Sequence, residues 1–378
     1  HTGSAVELRG WIHNVRKLCG LTFLVVRDCW GTLQAFIEHG EDAGEIPEFD
    51  AGVESVVTLT GEVRQEERAP QGVELHVQEL EVETEVTDQP PVTLSLPDLK
   101  AKLPTVLDHA TVALRHPKKR AIFRLASGTM NGFRRTLTDR GFTEIQTPKI
   151  VASKTEGGAN VFSLDYFDKQ AYLAQSPQLY KQMMVGIFER VFEVGPVFRA
   201  EKHATSRHIN EYVSLDLEFG FIDDHHTVMA MLRDVLAGIC SHLGEHHRRE
   251  LELLEVDLPE VPAEIPVLSF EEAKERAAER IDEKVPPSDL SSREERALGE
   301  WARQERDSEF LFITGYPMEK RPFYTHPGGA EVGSNSFDLI HSYDLSMIPL
   351  FVALGHIAYR AEITTKIYHA ARVWLVSV

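Results

Sequence analysis

Residues 174–221 read AQSPQLYKQMMVGIFERVFEVGPVFRAEKHATSRHINEYVSLDLEFGF. Within them Val191-Phe192-Glu193-Val194 has strand character and leads into Phe198-Arg199-Ala200-Glu201. A short polar loop with Arg207 and His208 follows, and the chain returns as Tyr212-Val213-Ser214-Leu215-Asp216-Leu217-Glu218-Phe219. The period of two in that return is the mark of a half-buried strand. Arg199 and Glu201 stand two apart, so on a strand both address one ligand from the same side. Arginine offers a planar fork of donors to a phosphate, and glutamate accepts from an exocyclic amine. A loop carrying Arg207 and His208 above that pair would hold the far end of a polyphosphate. The stretch is therefore expected to be an antiparallel hairpin that clamps ATP.

The arrangement resembles motif 2 of the class II aminoacyl-tRNA synthetases, which reads Phe-Arg-x-Glu, a variable loop and a second strand. The preceding Ala174-Gln175-Ser176-Pro177-Gln178-Leu179-Tyr180-Lys181-Gln182 is similar to the amino-acid pocket of aspartyl-tRNA synthetases, in a Lys-bearing form that the asparagine-charging relatives lack. Gly141-Phe142-Thr143-Glu144-Ile145-Gln146-Thr147-Pro148 resembles motif 1, the helix, strand and proline that build the class II dimer interface. Thr155-Glu156-Gly157-Gly158-Ala159 resembles the loop that closes over bound aspartate. The resemblance runs from about Leu8 to Leu339 with its motifs in order.

A chain of 378 residues has room for two domains, and 26% charged with 42% hydrophobic residues is an ordinary globular composition. No apolar run approaches the roughly 20 residues that span a bilayer, and no secretory leader opens the chain. A cytoplasmic protein with no membrane partner is expected. The first residue is His1 rather than Met, so the native N-terminus is expected to lie upstream. Cys19, Cys29 and Cys240 lack metal-ligand spacing and read as reduced thiols. The formal net charge of −19 argues superficially against nucleic acid. Phosphates respond to local patches, however, because charges are screened over ~10 Å. Arg115-His116-Pro117-Lys118-Lys119-Arg120 with Arg124 is one such patch, and Arg134 with Arg135 is another. Either is a solvated helix face or, given the resemblance, a tRNA contact near a hinge.

The expected fold class is α+β. Residues 1–86 hold five short strands with glycine-bearing turns, the pattern of a small Greek-key barrel such as the OB fold. Residues 87–115 form a proline-containing linker or hinge. Residues 116–340 carry the class II catalytic domain, an antiparallel sheet flanked by helices, with a helix from Pro117 to about Arg140. Residues 223–254, 270–282 and 291–306 read as helical, and Phe310-Leu311-Phe312-Ile313-Thr314 as a strand.

The resemblance assigns roles. Lys181 follows Gln178 at helical spacing and neutralises the side-chain carboxylate of a bound aspartate; an asparagine amide would leave that ammonium without its anion. Glu156, Gln178 and Asp216 engage the substrate ammonium or its hydrogen-bond network, with Gln175 in support. Arg199 stabilises charge on the α-phosphate during attack by the aspartate carboxylate and also touches the amino acid. Glu201 reads the adenine amine, Arg207 and His208 line the triphosphate path, and Mg2+ bridges phosphates, its protein ligands being unassigned. In the barrel, Phe23 stacks on an anticodon base, Gln34 bonds its edge and Arg27 adds a contact. Pro148 lies near the two-fold axis of a homodimer. His13 and Pro70 match enzymes that accept both tRNA-Asp and tRNA-Asn, where those restricted to tRNA-Asp carry Trp and Lys. A non-discriminating aspartate–tRNA ligase would make Asp-tRNA-Asn for a separate amidotransferase.

The match has a gap. After Ser336-Phe337-Asp338-Leu339 the chain lacks Gly-Gly-Gln-Arg and a third-motif glycine cluster. Residues 341–378 are thus expected to be an atypical tail, attributed to a frameshift or an assembly error after about Ile340. This leaves the catalytic domain incomplete and its activity open to test. A non-catalytic tRNA-binding relative and an asparaginyl-tRNA synthetase are the alternatives.

Overall fold

The computed structural model describes residues 3–39, 50–153, 161–201, 209–281 and 289–317. They form two compact units, divided between Arg120 and Ala121, a few residues beyond the boundary expected at 115.

In the first unit, strands β1 (Ala5–Leu18), β2 (Leu21–Arg27), β3 (Thr32–Glu38), β4 (Val56–Gln65) and β5 (Val73–Thr84) close a barrel in the order β1-β2-β3-β5-β4. β3 and β5 pair in parallel and the other neighbours antiparallel. Alternation drives closure, because one side of each strand supplies Ile12, Leu24, Val26, Ile37, Val57, Leu59 and Leu75 to a fully buried interior. Gly61 is required where β4 meets β5, since a Cβ there would collide with the backbone of His76. His13 is the extra residue of a bulge between Ile12 and Asn14 in the β1–β2 pairing. The linker is not wholly irregular: it holds the short helices α1 (Leu103–Asp108) and α2 (Ala110–Ala113).

Helix α3 (Pro117–Thr138) opens on proline, as the sequence predicted. In the second unit come β6 (Thr143–Glu144), β7 (Ile150–Val151), β8 (Ser163–Tyr166), β9 (Lys169–Leu173) and α4 (Gln178–Phe188). The expected hairpin follows as β10 (Arg190–Phe198) and β11 (Glu211–Phe219), paired antiparallel along their whole length. β6 joins β10 in parallel, so this sheet is mixed, in the order β11-β10-β6. The remaining strands form a β7-β9-β8 sheet and a parallel β12-β13 pair, β12 being Val267–Ser269 and β13 Phe312–Thr314.

The run expected to be helical over 223–254 divides at His247 into α5 (His225–His246) and α6 (Arg248–Leu254). Helices α7 (Phe270–Ala278) and α8 (Ser292–Arg306) each begin with a capping box, Ser269 with Glu272 and Ser291 with Glu294. One face of the β10–β11 hairpin, through Phe192, Val194, Leu215 and Phe219, enters a core with Leu125, Phe133 and Leu137 of α3 and Val235, Leu236 and Ile239 of α5. α3 and α5 approach closely at Gly238, where a Cβ would strike Thr136. Among the described residues no helix is long and apolar enough to cross a membrane.

Candidate active site and nucleic-acid face

The register of the hairpin decides which side chains meet. Glu193 lies opposite Asp216, Gly195 opposite Ser214 and Val191 opposite Glu218, and directly paired residues share a face. With Phe192, Val194, Leu215 and Phe219 in the core, the other face carries Glu193, Ser214, Asp216 and Glu218, every one buried. α4 brings Gln178 and Lys181 to that carboxylate face. Lys181 Nζ lies 2.6 Å from Asp216 Oδ1 and 3.5 Å from Glu218 Oε2, and Ser214 Oγ donates to Asp216 Oδ2 at 2.6 Å.

Burial by itself would lower the Lys181 pKa, but the charges and hydrogen bonds of Asp216 and Glu218 outweigh it and hold the ammonium above its ordinary value. Burial likewise pushes Asp216 upward. The charge and hydrogen bond of Lys181, the Ser214 hydroxyl and the Arg199 guanidinium pull it below the usual carboxylate range. Gln178 is 2% exposed, and among the described residues neither its Oε1 nor its Nε2 has a hydrogen-bond partner. A buried carboxamide that satisfies neither its donor nor its acceptor is a ready site for a polar ligand.

Arg199 leaves the end of β10 with its N–H on the Asn210 carbonyl at 2.9 Å, and Glu201 N–H donates back to the Arg199 carbonyl at 2.8 Å. The structure thus brings Gln178, Lys181, Arg199 and Asp216 into one electrostatic neighbourhood. Glu156, Arg207, His208 and residues 318–378 lie outside the described residues.

One part of the site was missed in the sequence. Glu193, 2% exposed, accepts from Thr147 N–H at 2.7 Å, from Thr147 Oγ1 at 2.9 Å and from Lys149 Nζ at 2.8 Å. The Lys149 carbonyl accepts from Ala174 N–H, and the Ala174 carbonyl from Phe198 N–H, both at 2.9 Å. The motif-1 segment is therefore stitched to β10 and to the start of the amino-acid pocket. The available signal was parity: Glu193 precedes Arg199 by an even number of residues. Next to this segment a groove of about 240 Å³ is lined by Thr143, Ile145, Pro148, Tyr180, Met184 and Phe188. Pro148 is exposed there, and Leu179, Met183 and Ile187 of α4 are 54%, 60% and 68% exposed.

Among the described residues no group of three or more His, Cys, Asp or Glu side chains could hold a metal ion. Asp216 and Glu218 both face Lys181. The described residues thus do not make a protein-only magnesium site.

On the barrel, Phe23, Phe36 and His76 form an aromatic ladder, with ring centroids 5.4 Å and 4.9 Å apart. Gln34 Nε2 donates to Glu74 Oε2 at 2.9 Å, and Glu74 Oε1 lies 2.9 Å from His76 Nε2. Phe36, Glu74 and His76 were expected only as strand residues, although Phe36 stands two beyond Gln34 and shares its face.

Arg27 differs from expectation. It is 2% exposed, bound to Glu54 by contacts of 2.7 and 2.9 Å, and its Nη1 lies 3.0 Å from His13 Nδ1. Alternation along β2 put it on the Phe23 face, but Glu54 and the linker's Arg115, which reaches Glu54 Oε2 at 2.8 Å, cover that end of the barrel. A direct anticodon contact by Arg27 is thereby corrected. Because arginine only donates, His13 Nδ1 must accept, which leaves the neutral tautomer with its proton on Nε2. Burial and the Arg27 charge lower the His13 pKa to about 4. Pro70 is exposed on a turn tied by Gln71 Nε2 to the Thr32 carbonyl at 2.8 Å.

The basic patches are also less available than expected. Arg115 pairs with Glu54, Lys118 with Asp98, Arg124 with Glu250 and Arg134 with Glu144.

Residues 102–348 match the sequence profile of the class II tRNA synthetases (D, K and N), and residues 6–83 that of an OB-fold nucleic acid binding domain. The chain is 42% identical over 345 residues to the aspartate–tRNA(Asp/Asn) ligase of Deinococcus radiodurans, covering 91% of this chain and 78% of that protein. It is 45% identical over 348 residues to the enzyme of the same name from Aeropyrum pernix, covering 90% and 78%. Among solved structures, the asparaginyl-tRNA synthetase from Pyrococcus horikoshii complexed with asparaginyl-adenylate superposes with a TM-score of 0.76 at 31% identity, covering 86% of this chain and 74% of that one. With matches that take in both its units, the chain belongs to the class II tRNA synthetases of the D, K and N group and carries an OB-fold nucleic acid binding domain.

Proposed function

We propose that this chain activates L-aspartate with ATP and passes the aspartyl group to the 3′ end of tRNA-Asp and tRNA-Asn. The observation that carries the choice of aspartate is Lys181, a buried cation beside a Gln178 carboxamide whose donor and acceptor both lack partners among the described residues. Lys181 already faces Asp216 and Glu218, but its ammonium carries three donors, so an aspartate side-chain carboxylate can be received as a further acceptor. The fold alone does not separate the two, since the chain also resembles an asparaginyl-tRNA synthetase.

In the first step the substrate α-carboxylate attacks the α-phosphorus, an acyl–phosphate bond forms, and the bond to the β-phosphate breaks to release pyrophosphate. Arg199 stabilises the charge that builds on the α-phosphate oxygens, and Glu201 accepts from the adenine amine. Lys181, Gln178 and Asp216 hold the amino acid, with Glu156 closing over it and Arg207 and His208 along the triphosphate. Positioning and charge do the work, with no protein nucleophile. In the second step a hydroxyl of the tRNA terminal ribose attacks the acyl carbon and AMP leaves. Magnesium, when bound with ATP, would neutralise phosphate charge, while Arg199 does so from the protein side.

The tRNA anticodon lies on the ladder of Phe23, Phe36 and His76, with Gln34 and Glu74 at the base edge. His13 acts through Arg27, and with Pro70 it admits either tRNA. The enzyme works in the cytoplasm as a homodimer across the Pro148 groove, and its Asp-tRNA-Asn passes to an amidotransferase. Pyrophosphate exchange tests the reading. Exchange dependent on aspartate and not on asparagine is expected; exchange with neither indicates a non-catalytic tRNA-binding relative, and a preference for asparagine overturns the assignment.

A further inference from the structure

The turn joining β2 to β3, Asp28-Cys29-Trp30-Gly31, combines a rigid backbone with an exposed indole. Trp30 is 74% exposed. Beneath it Asp28 Oδ1 accepts from the N–H groups of Trp30 and Gly31, both at 2.7 Å, and Asp28 N–H donates to the Gly31 carbonyl at 2.9 Å. Arg120 then donates to the carbonyls of Asp28 and Cys29 at 2.9 and 2.6 Å. A large apolar ring in water is unfavourable, and this one stands on a backbone held by five hydrogen bonds. Such preorganisation is what a contact residue needs, because little entropy is lost when the partner arrives.

The position of the turn suggests the partner. The same hairpin carries Phe23 on β2 and Phe36 on β3, four residues before its last pair, Arg27 with Thr32, and four after it. At ~3.3 Å per residue the turn lies roughly 15 Å beyond the aromatic ladder. An OB fold covers roughly 4–16 nucleotides, so the ladder and the turn fall within one footprint. Stacking also suits this surface better than phosphate contact, since the neighbouring Arg115 and Lys118 are paired with Glu54 and Asp98, and Arg120 is bound to backbone carbonyls.

We propose that Trp30 is a second stacking platform, on which an unpaired tRNA base rests beyond the base held by the Phe23–Phe36–His76 ladder. This rests on the reading of the barrel as a tRNA-binding domain, and the test separates the two. Binding of tRNA-Asp transcript to the full chain is measured for wild type, Trp30→Ala and Trp30→Phe across a salt series. The expected result is a loss of roughly 5- to 100-fold for Trp30→Ala at every salt concentration, with an unchanged salt slope and most of the affinity kept by Trp30→Phe. The KM for tRNA rises and the KM for aspartate does not. Equal affinity of wild type and Trp30→Ala overturns the proposal while leaving tRNA binding intact. Unchanged tRNA affinity together with a loss of self-association on sedimentation also overturns it and assigns the indole to a second copy of the chain. Failure of wild type to bind tRNA at all overturns the underlying reading.

Discussion

Lys181 and Asp216 meet at 2.6 Å with side chains only 3% and 7% exposed, one from α4 and the other from β11. Their perturbations define a window. Asp216 is depressed, so its contribution is complete above its unfolded pKa and is lost as pH falls through the folded value. Lys181 is raised, so its contribution is complete below its unfolded pKa and is lost as pH rises through the folded value. Around neutrality both groups are charged, and the pocket presents a cation already braced by Asp216 and Glu218.

Lys181→Ala removes that cation and leaves the buried carboxylates of Asp216 and Glu218 without it. Breaking a buried pair in this way costs about 3–5 kcal/mol, which a denaturant titration reads. In pyrophosphate exchange the KM for aspartate should rise far more than the KM for ATP. Arg199→Ala should instead lower kcat by a factor of ~100 or more at saturating substrates, since it removes a transition-state contact. Equal effects of both substitutions on both parameters would undo the division of roles.

Glu193 supports the pocket from the neighbouring strand, directly opposite Asp216. Glu193→Gln keeps an acceptor for Thr147 N–H but loses the charge that holds Lys149. The expected loss of stability is about 1–3 kcal/mol. Because the Lys149 carbonyl fixes Ala174 at the start of the pocket loop, the KM for aspartate should also rise. Lys149→Met should shift it in the same direction, and the double variant should do less than the sum. Additive effects would show that the two side chains act separately.

The sequence disclosed most of this site because its logic is local. Parity along β10 and β11 sorts Ser214, Asp216 and Glu218 from Leu215, Leu217 and Phe219, and helical spacing puts Gln178 with Lys181. Parity places Glu193 on the Arg199 face, but it could not disclose the partners Thr147 and Lys149, which stand more than forty residues away and arrive only through the parallel β6–β10 pairing. Arg27 was misjudged for a related reason. Alternation gives the face of a strand but not what covers it, and the covering groups, Glu54 and Arg115, come from a loop and the linker. Parity would have disclosed Phe36, yet its contact with His76 depended on the β3–β5 crossover.

The last prediction concerns His13. Its folded pKa of about 4 lies below the ordinary 6.5, because burial and the Arg27 guanidinium disfavour the imidazolium. Between those values the unfolded chain binds the proton and the folded chain does not, so stability rises with pH across that interval. Acidification from 6.5 towards 4 should therefore weaken the barrel by up to about 3 kcal/mol from this residue, with no further loss from it below 4. Glu54, also depressed, acts in the same direction as pH falls through its own folded value. Replacing His13 with Gln keeps an acceptor for Arg27 and removes the titration. Unfolding free energies measured from pH 7 to pH 4 should show a shallower decline for His13→Gln than for wild type. Parallel curves would mean that His13 titrates alike in the folded and unfolded chains, and that its bond to Arg27 does not hold it neutral.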